Sequence, residues 1–359
     1  MIKKPFSDLI ILELAGVLAG PSVGKFFCEL GAKVVKIENP KTNGDVTRSW
    51  KLQSEDMNDN TSAYFWTVNT KKESIFLDLT NKQDLEKFYT LVRIADVLVT
   101  NYKAGDDKKL KVHYERIKKI NPNIIYASIS GFGNDNPRTA YDLILQAESG
   151  FMFMNGEKNA APLKMPVALI DILAGHQLKE AILIALLNRY QTGGEGCHVS
   201  VSLFDSAIAS LANQATNWLI ANHLPEAQGS LHPNIAPYGE IFTTKDDQYI
   251  TFAIGSDKQY KNLCEVLELK ELQTDKRFKT NQQRVINRND LFSELNKSIS
   301  KLPFKNLFDE CMKKDIPIGK IRNLKEVFEL PEAKHMLNKF VYKDRKLANV
   351  NSVAFKFQS

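Results

Sequence analysis

Two short apolar runs, at residues 10–14 and Lys33–Glu38, flank a helical pattern that closes at Gly31. This pairing constrains the fold more than any other feature. Strands joined by a helix can lie side by side in one sheet only as a right-handed parallel crossover. The opening therefore reads as a βαβ unit of the Rossmann kind, and similar runs at 74–78, 97–100, 124–130 and 199–202 extend the sheet. At 359 residues the chain exceeds what one compact core usually holds, so a second domain is expected. From residue 229 the pattern changes: runs at 241–244 and 249–253 flank Lys245, Asp246, Asp247 and Gln248 as an antiparallel hairpin, followed by amphipathic helices at 258–267, 288–300 and 304–313. The sequence thus predicts an α/β protein. A large domain with a Rossmann-like parallel sheet spans 1–220 and is completed by 321–359, whose strand-like 353–357 returns to it, and a smaller α+β domain spans 221–320.

A strand, a glycine-bearing turn and a helix invite a dinucleotide reading, with Glu38 where a ribose-binding acid would stand. The glycines argue against it. They fall at 16, 20 and 24, whereas a pyrophosphate cradle needs the tight GxGxxG turn. The net charge of +6 is spread along the chain without a Lys/Arg-rich run carrying interleaved aromatics, so no nucleic-acid partner is expected. An anionic small ligand would suit the same charge. Four scattered cysteines form no CxxC pair and no Cys/His cluster, which predicts a reducing cytoplasmic setting and no metal site. No run is long and apolar enough for a membrane span, so no membrane partner is expected either.

The chemistry centres on Asp171. Residues 166–170 read as a short buried strand and 172–189 as a helix apolar nearly all round, which sets this carboxylate at a strand-to-helix joint. There it can cap the helix, or act as a nucleophile at the strand end where open α/β sheets place ligands. Asp142, which opens another apolar helix, is a rival acid with the same capping alternative. Asn101, Tyr102 and Lys103 follow the 97–100 strand directly, a combination that can hold an aromatic face and a phosphate.

Ten segments in order resemble the class III CoA-transferase family, which holds formyl-CoA and carnitine CoA-transferases and α-methylacyl-CoA racemases. They include DLIILELAGVLAGP (8–21), ELGAKVVKIENP (29–40), NTKKESIFLDL (69–79), ADVLVTNYKAG (95–105), YDLILQAESG (141–150), RYQTGGEGCHVSVSLFDSA (189–207) and HPNIAPYG (232–239). The resemblance implies an acyl-CoA transferase that moves CoA from an acyl-CoA to a carboxylic acid through an aspartyl anhydride and thioester on Asp171. It also implies coenzyme A as substrate, an interlocked homodimer, Asn101, Tyr102 and Lys103 around the adenine, and Lys72, Lys109 and Arg138 around the CoA phosphates. Asn39 replaces a family arginine near the nucleotide, and Leu18 replaces a polar side chain of the formyl-CoA branch, whose glycine-rich gating loop is also missing. Racemases of the family carry a histidine where this chain has Tyr141, a phenol that is a poor base near neutrality. Transfer is therefore favoured over racemisation. A non-catalytic CoA-binding scaffold is the alternative of another class.

Overall fold

The computed structural model describes residues 4–356. Strands β1 (Ile10–Glu13), β2 (Lys33–Glu38), β3 (Glu73–Phe76), β4 (Val97–Thr100), β5 (Ile125–Ser130) and β6 (His198–Ser202) form one sheet in the order β3-β2-β1-β4-β5-β6, every pair parallel. Helices α1 (Ala19–Glu29), α2 (Ala63–Asn69), α3 (Lys82–Val92), α4 (Asp106–Lys109), α5 (Tyr114–Ile120), α6 (Asp142–Glu148), α7 (Phe151–Met154), α8 (Leu169–Thr192), α9 (Leu203–Ala209) and α10 (Ala212–Ala221) complete this part of the chain. Strand residues alternate between two cores. Ile11, Val34, Val97 and Val99 pack with α1 and α8, while Leu12, Val35 and Leu98 pack with α3 and α5. Both faces are covered, as a parallel sheet requires.

The glycine spacing has a packing cause. A Cβ on Gly20 would stand 2.3 Å from that of Ala15, and one on Gly24 would stand 2.0 Å from Glu13 Oε2. One helical turn apart, the two glycines let α1 lie directly against the end of β1. The strand order reverses between β1 and β4, and loops leaving these two strands open a crevice at the carboxyl edge.

The chain divides into two compact units. The larger takes the described residues to Met154, Pro162–Pro225 and those from His335 onward; the smaller takes Asn155–Ala161 and Glu226–Lys334. Strands β7 (Tyr238–Thr243), β8 (Tyr249–Ala253) and β9 (Ile318–Lys320) form an antiparallel sheet in the smaller unit. Helix α11 (Asp257–Val266) and, after α12 (Asn281–Ile286), helices α13 (Arg288–Ile299) and α14 (Phe304–Lys313) enclose a core that includes Phe242, Phe252, Leu263 and Leu295.

Three local expectations are corrected. Residues 321–334 sit with the smaller unit rather than the larger, because β9 pairs with β8 and Lys320 Nζ holds Glu326 at 2.7 Å. Residues 166–168 are not a strand: the apolar run is half loop and half helix, since Ile170 already begins the buried stripe Ile170, Ala174, Leu178, Ile182 of α8. Residues 353–356 are not a strand either, and Phe357 lies outside the described residues. The segment still docks on the larger unit, where the Glu29 carboxylate accepts hydrogen bonds from the Ser352 and Val353 amides at 2.8 and 3.0 Å.

Candidate active site

Helix α1 leaves the end of β1, and α8 ends just before β6 begins, so both helices have their N-termini at the carboxyl edge of the sheet. They pack closely. A Cβ on Gly175 would stand 2.3 Å from Ser22 Oγ and 3.1 Å from the Ala19 carbonyl oxygen. Asp171, one turn before Gly175, is thereby brought against the first turn of α1. The two helices run in the same direction, so their positive dipole ends meet where this carboxylate sits.

Asp171 is 7% exposed. Burial, and secondarily the charge of Asp142, raise its carboxyl to about 7. Ala168 gives α8 no side-chain cap. Asp142 supplies it from another helix: its Oδ1 accepts from the amides of Ile170 at 2.7 Å and Asp171 at 3.4 Å, while Gln146 Nε2 donates to its Oδ2 at 2.6 Å. The rival acid of the sequence is thus engaged as a cap, and it also makes its neighbour harder to ionise.

Asp171 opens onto a cleft of about 260 Å³ at the point where the strand order reverses. The loop of Gly16, Val17, Leu18 and Ala19 after β1 forms one wall; Tyr102 and Lys103 after β4, Ser130 at the end of β5, and Gly131, Arg138 and Tyr141 after it form the others. Among the residues singled out in the sequence, Asn101, Tyr102, Lys103, Arg138 and Asp171 line this one cleft. Asn101 has its amide engaged: Oδ1 accepts from Gly16 N at 3.0 Å and Nδ2 donates to Gly16 O at 2.8 Å. Arg138 stacks 4.1 Å from the centre of the Phe132 ring and forks onto Glu148 at 3.0 and 2.5 Å. Burial pushes the Tyr102 phenol well above its ordinary range.

Lys109 and Lys72 lie elsewhere. Lys109, on α4, is exposed and pairs with Asp106 at 2.9 Å. The Lys72 side chain is fully buried, its ammonium donating to both Glu13 oxygens at 2.9 and 2.8 Å, to Pro21 O at 2.8 Å and to Asn69 Oδ1 at 3.1 Å. With every proton used inside the protein, Lys72 is corrected from a phosphate ligand to part of the interior. His232, in the smaller unit, accepts from Asn234 N at 3.1 Å through Nδ1 and packs on Tyr238, so it organises its own turn.

Sequence reading missed the loop of Gly16 to Ala19, whose glycine suggested only a turn, and the reach of the site's charge to Tyr64, which is outside the cleft lining but whose phenol is raised by burial and by the charges of Asp171, Asp142 and Asp45. The reversal of strand order locates the first of these, but that order is a property of pairing that local pattern does not carry. Among the described residues no group of three or more His, Cys, Asp or Glu is arranged to hold a metal, and no helix is long and apolar enough to cross a membrane.

Residues 6–359 match CoA-transferase family III. The chain is 37% identical over 336 residues to the succinate–glutarate CoA-transferase of Agrobacterium fabrum, covering 92% of this chain and 83% of that one. It is also 37% identical over 343 residues to the acetyl-CoA:oxalate CoA-transferase of Acetobacter aceti, with 94% and 86% covered. The crystal structure of a CaiB/BaiF family protein from Brucella suis superposes with a TM-score of 0.85 at 36% identity, over 98% of this chain and 92% of that one. The match from end to end, with a parallel sheet and a carboxylate buried at its switch point, means that this chain belongs to CoA-transferase family III and is a CoA-transferase.

Proposed function

We propose that this enzyme moves CoA from an acyl-CoA donor to a dicarboxylic acid acceptor through covalent intermediates on Asp171. The observation that carries the reading is a buried carboxylate at the meeting point of two helix N-termini, on the wall of the cleft. Burial strips water from the carboxylate and so makes a weak nucleophile more reactive. The amides of Ala19 and Gly20 in the first turn of α1 offer fixed donors for charge that builds on a carbonyl oxygen.

The Asp171 carboxylate attacks the donor thioester carbonyl, and CoA thiolate leaves, which gives an aspartyl–acyl anhydride. The thiolate attacks the aspartyl carbonyl and expels the donor acid, leaving an aspartyl–CoA thioester. An acceptor carboxylate attacks that thioester, releasing thiolate and forming a second anhydride. The thiolate then attacks the acceptor acyl carbonyl, giving the new acyl-CoA and restoring Asp171. No net proton or electron is consumed.

Tyr102 lines both the Asp171 cleft and a second cavity of about 120 Å³ bordered by Ile37, Leu77, Leu79 and Leu110. Glu38, Asn39, Asp78 and Thr80 also line it, and a slot with aliphatic walls and a polar edge suits an adenine, with the pantetheine arm running past Tyr102 towards Asp171. Lys103, Lys109 and Arg138 supply cations for the phosphates, and Asn101 holds the loop under the arm. A dicarboxylate acceptor is supported by the relatives named for succinate, glutarate and oxalate. The working form in this reading is a cytoplasmic homodimer that needs no metal.

The test is intact-protein mass spectrometry after incubation with a panel of acyl-CoAs and hydroxylamine, which captures activated carboxyls as hydroxamates. A hydroxamate on Asp171 is expected with at least one donor, and its absence with all of them removes the covalent route. Asp171→Ala should lower transfer on the order of 10³-fold or more, as loss of a covalent nucleophile does. CoA binding should persist; near-normal turnover would dismiss Asp171 as nucleophile.

A further inference from the structure

The cleft wall contains a backbone anomaly that the catalytic reading leaves unexplained. Val17 has φ of 69°, a left-handed conformation that a β-branched residue almost never adopts. Such a conformation persists only where the surroundings enforce it. Two side chains do so. Asn101 clamps the Gly16 amide and carbonyl from one side at 3.0 and 2.8 Å. From the other, the Asp45 carboxylate accepts from Val17 N, at 3.3 Å to Oδ1 and 3.2 Å to Oδ2.

Asp45 is itself anchored. Thr47 donates to its Oδ1 from N at 3.0 Å and from Oγ1 at 2.8 Å, and the buried Lys36 ammonium lies 3.0 Å from Oδ2. Lys36 also donates to Glu13 at 3.2 Å and to the Ala15 carbonyl at 2.7 Å, so it ties Asp45 to the last turn of chain before the loop. Leu18, at the N-cap of α1, contributes no capping side chain; with Pro21 lacking an N–H and Ser22 N donating to Leu18 O, the amides of Ala19 and Gly20 are the first-turn donors left available beside the cleft wall.

We infer that Asp45, fixed by Lys36, is a positioning residue for transfer: it holds Val17 in its left-handed turn and so aims the first-turn amides of α1 at the carbonyl oxygen that becomes negative beside Asp171. This role presupposes transfer at Asp171. A strained turn bound from both sides is stiff, and stiffness is what an oxyanion donor needs, because its alignment must not be recovered anew in each transition state.

Asp45→Asn removes the charge that Lys36 holds and weakens the acceptor for Val17 N. Displaced donors should lower kcat about 10- to 100-fold. The CoA dissociation constant and KM for the acyl-CoA should stay within about threefold, because Asp45 touches neither. Amide hydrogen exchange at Val17, whose N–H the Asp45 carboxylate accepts, should speed up about tenfold or more, with Val199 in β6 unchanged as the control. Glycine adopts this φ without strain, so Val17→Gly added to Asp45→Asn should recover about tenfold in kcat. A merely structural Asp45 would give parallel losses in folding and binding and no such recovery. If Asp45→Asn does not fold, the double variant carries the test through the same exchange measurement. Unchanged exchange in the loop overturns the positioning role whether or not turnover is seen. Unchanged kcat, in a preparation whose wild type transfers CoA, overturns its catalytic consequence. A wild type that transfers with no donor instead brings down the reading of transfer at Asp171, and loop exchange alone then decides whether Asp45 holds the turn.

Discussion

At the scale of the residue, the decisive quantity is the acidity of Asp171. Its folded value of about 7 stands above the ordinary 3.8, first by burial and then by Asp142. The ionised form is the nucleophile, so kcat/KM should rise about tenfold per pH step below 7 and level off above it. Asp142→Asn removes the second cause and should move that limb to lower pH; a limb that stays in place would assign it to another group. The same shift acts on stability. A carboxyl made harder to ionise on folding costs stability where the unfolded chain would be ionised: the cost is absent below about pH 4 and complete above about pH 7. At about 1.4 kcal/mol per tenfold change in acidity, this amounts to a few kcal/mol. Asp171→Asn should therefore be inactive yet melt higher than wild type at pH 8, with the gap closing as pH falls towards 4. Equal melting at pH 8 would mean that the carboxylate is better solvated than its 7% exposure suggests.

At the scale of the element, the site depends on how closely α1 and α8 approach. Gly175→Ala would set a methyl 2.3 Å from Ser22 Oγ and 3.1 Å from a backbone oxygen. The serine can rotate, whereas the backbone must move, so a loss of roughly 1–3 kcal/mol is expected from overpacking. Chemical denaturation measures it, and kcat should fall because Asp171 is pushed from α1; an unchanged melting curve would show that the helices have slack. This dependence also explains what local pattern could and could not reveal. The parallel strands were legible because buried β-branched runs separated by helical periods admit few arrangements; β2, β4 and α14 fall where periodicity sets them. Asp171 was legible as an acid on an apolar element, but not as a first-turn residue, since a five-residue apolar run has the same pattern in a strand, a loop or a helix turn. The hairpin of β10 (Leu337–Tyr342) and β11 (Arg345–Val350) escaped for another reason: its turn is Lys343 and Asp344 at φ of 46° and 62°, positions that ordinarily announce themselves with asparagine or glycine. Likewise Lys72 has the same spelling as a surface lysine. Only the buried Glu13 that faces it reveals its role, and that acid lies in another element.

At the scale of the whole molecule, apolar surface remains to be accounted for. Helix α8 reads as apolar nearly all round, yet one face alone is buried within the chain; Ile184 is 67% exposed, Leu187 56% and Tyr190 88%. Helix α10 has no buried residue, and exposes Trp218 at 50%, Leu219 at 76% and Ile220 at 79%. Both helices belong to the larger unit. Six large apolar side chains on two helices are more than a monomer usually leaves in water, and patches of this kind mark association surfaces. A second copy of the chain is the occupant proposed here, because the net charge of +6 on each copy is spread widely enough not to oppose an apolar contact, and each copy brings the same two faces. Sedimentation should give a dimer at micromolar concentration. Replacing Ile184 and Leu219 together by glutamate buries charge in that contact and should shift the population to monomer, since each unpaired buried carboxylate costs several kcal/mol. A wild type that sediments as a monomer would end the homodimer proposal. A double variant that remains dimeric would move the interface off α8 and α10, and leave their apolar faces to a different partner.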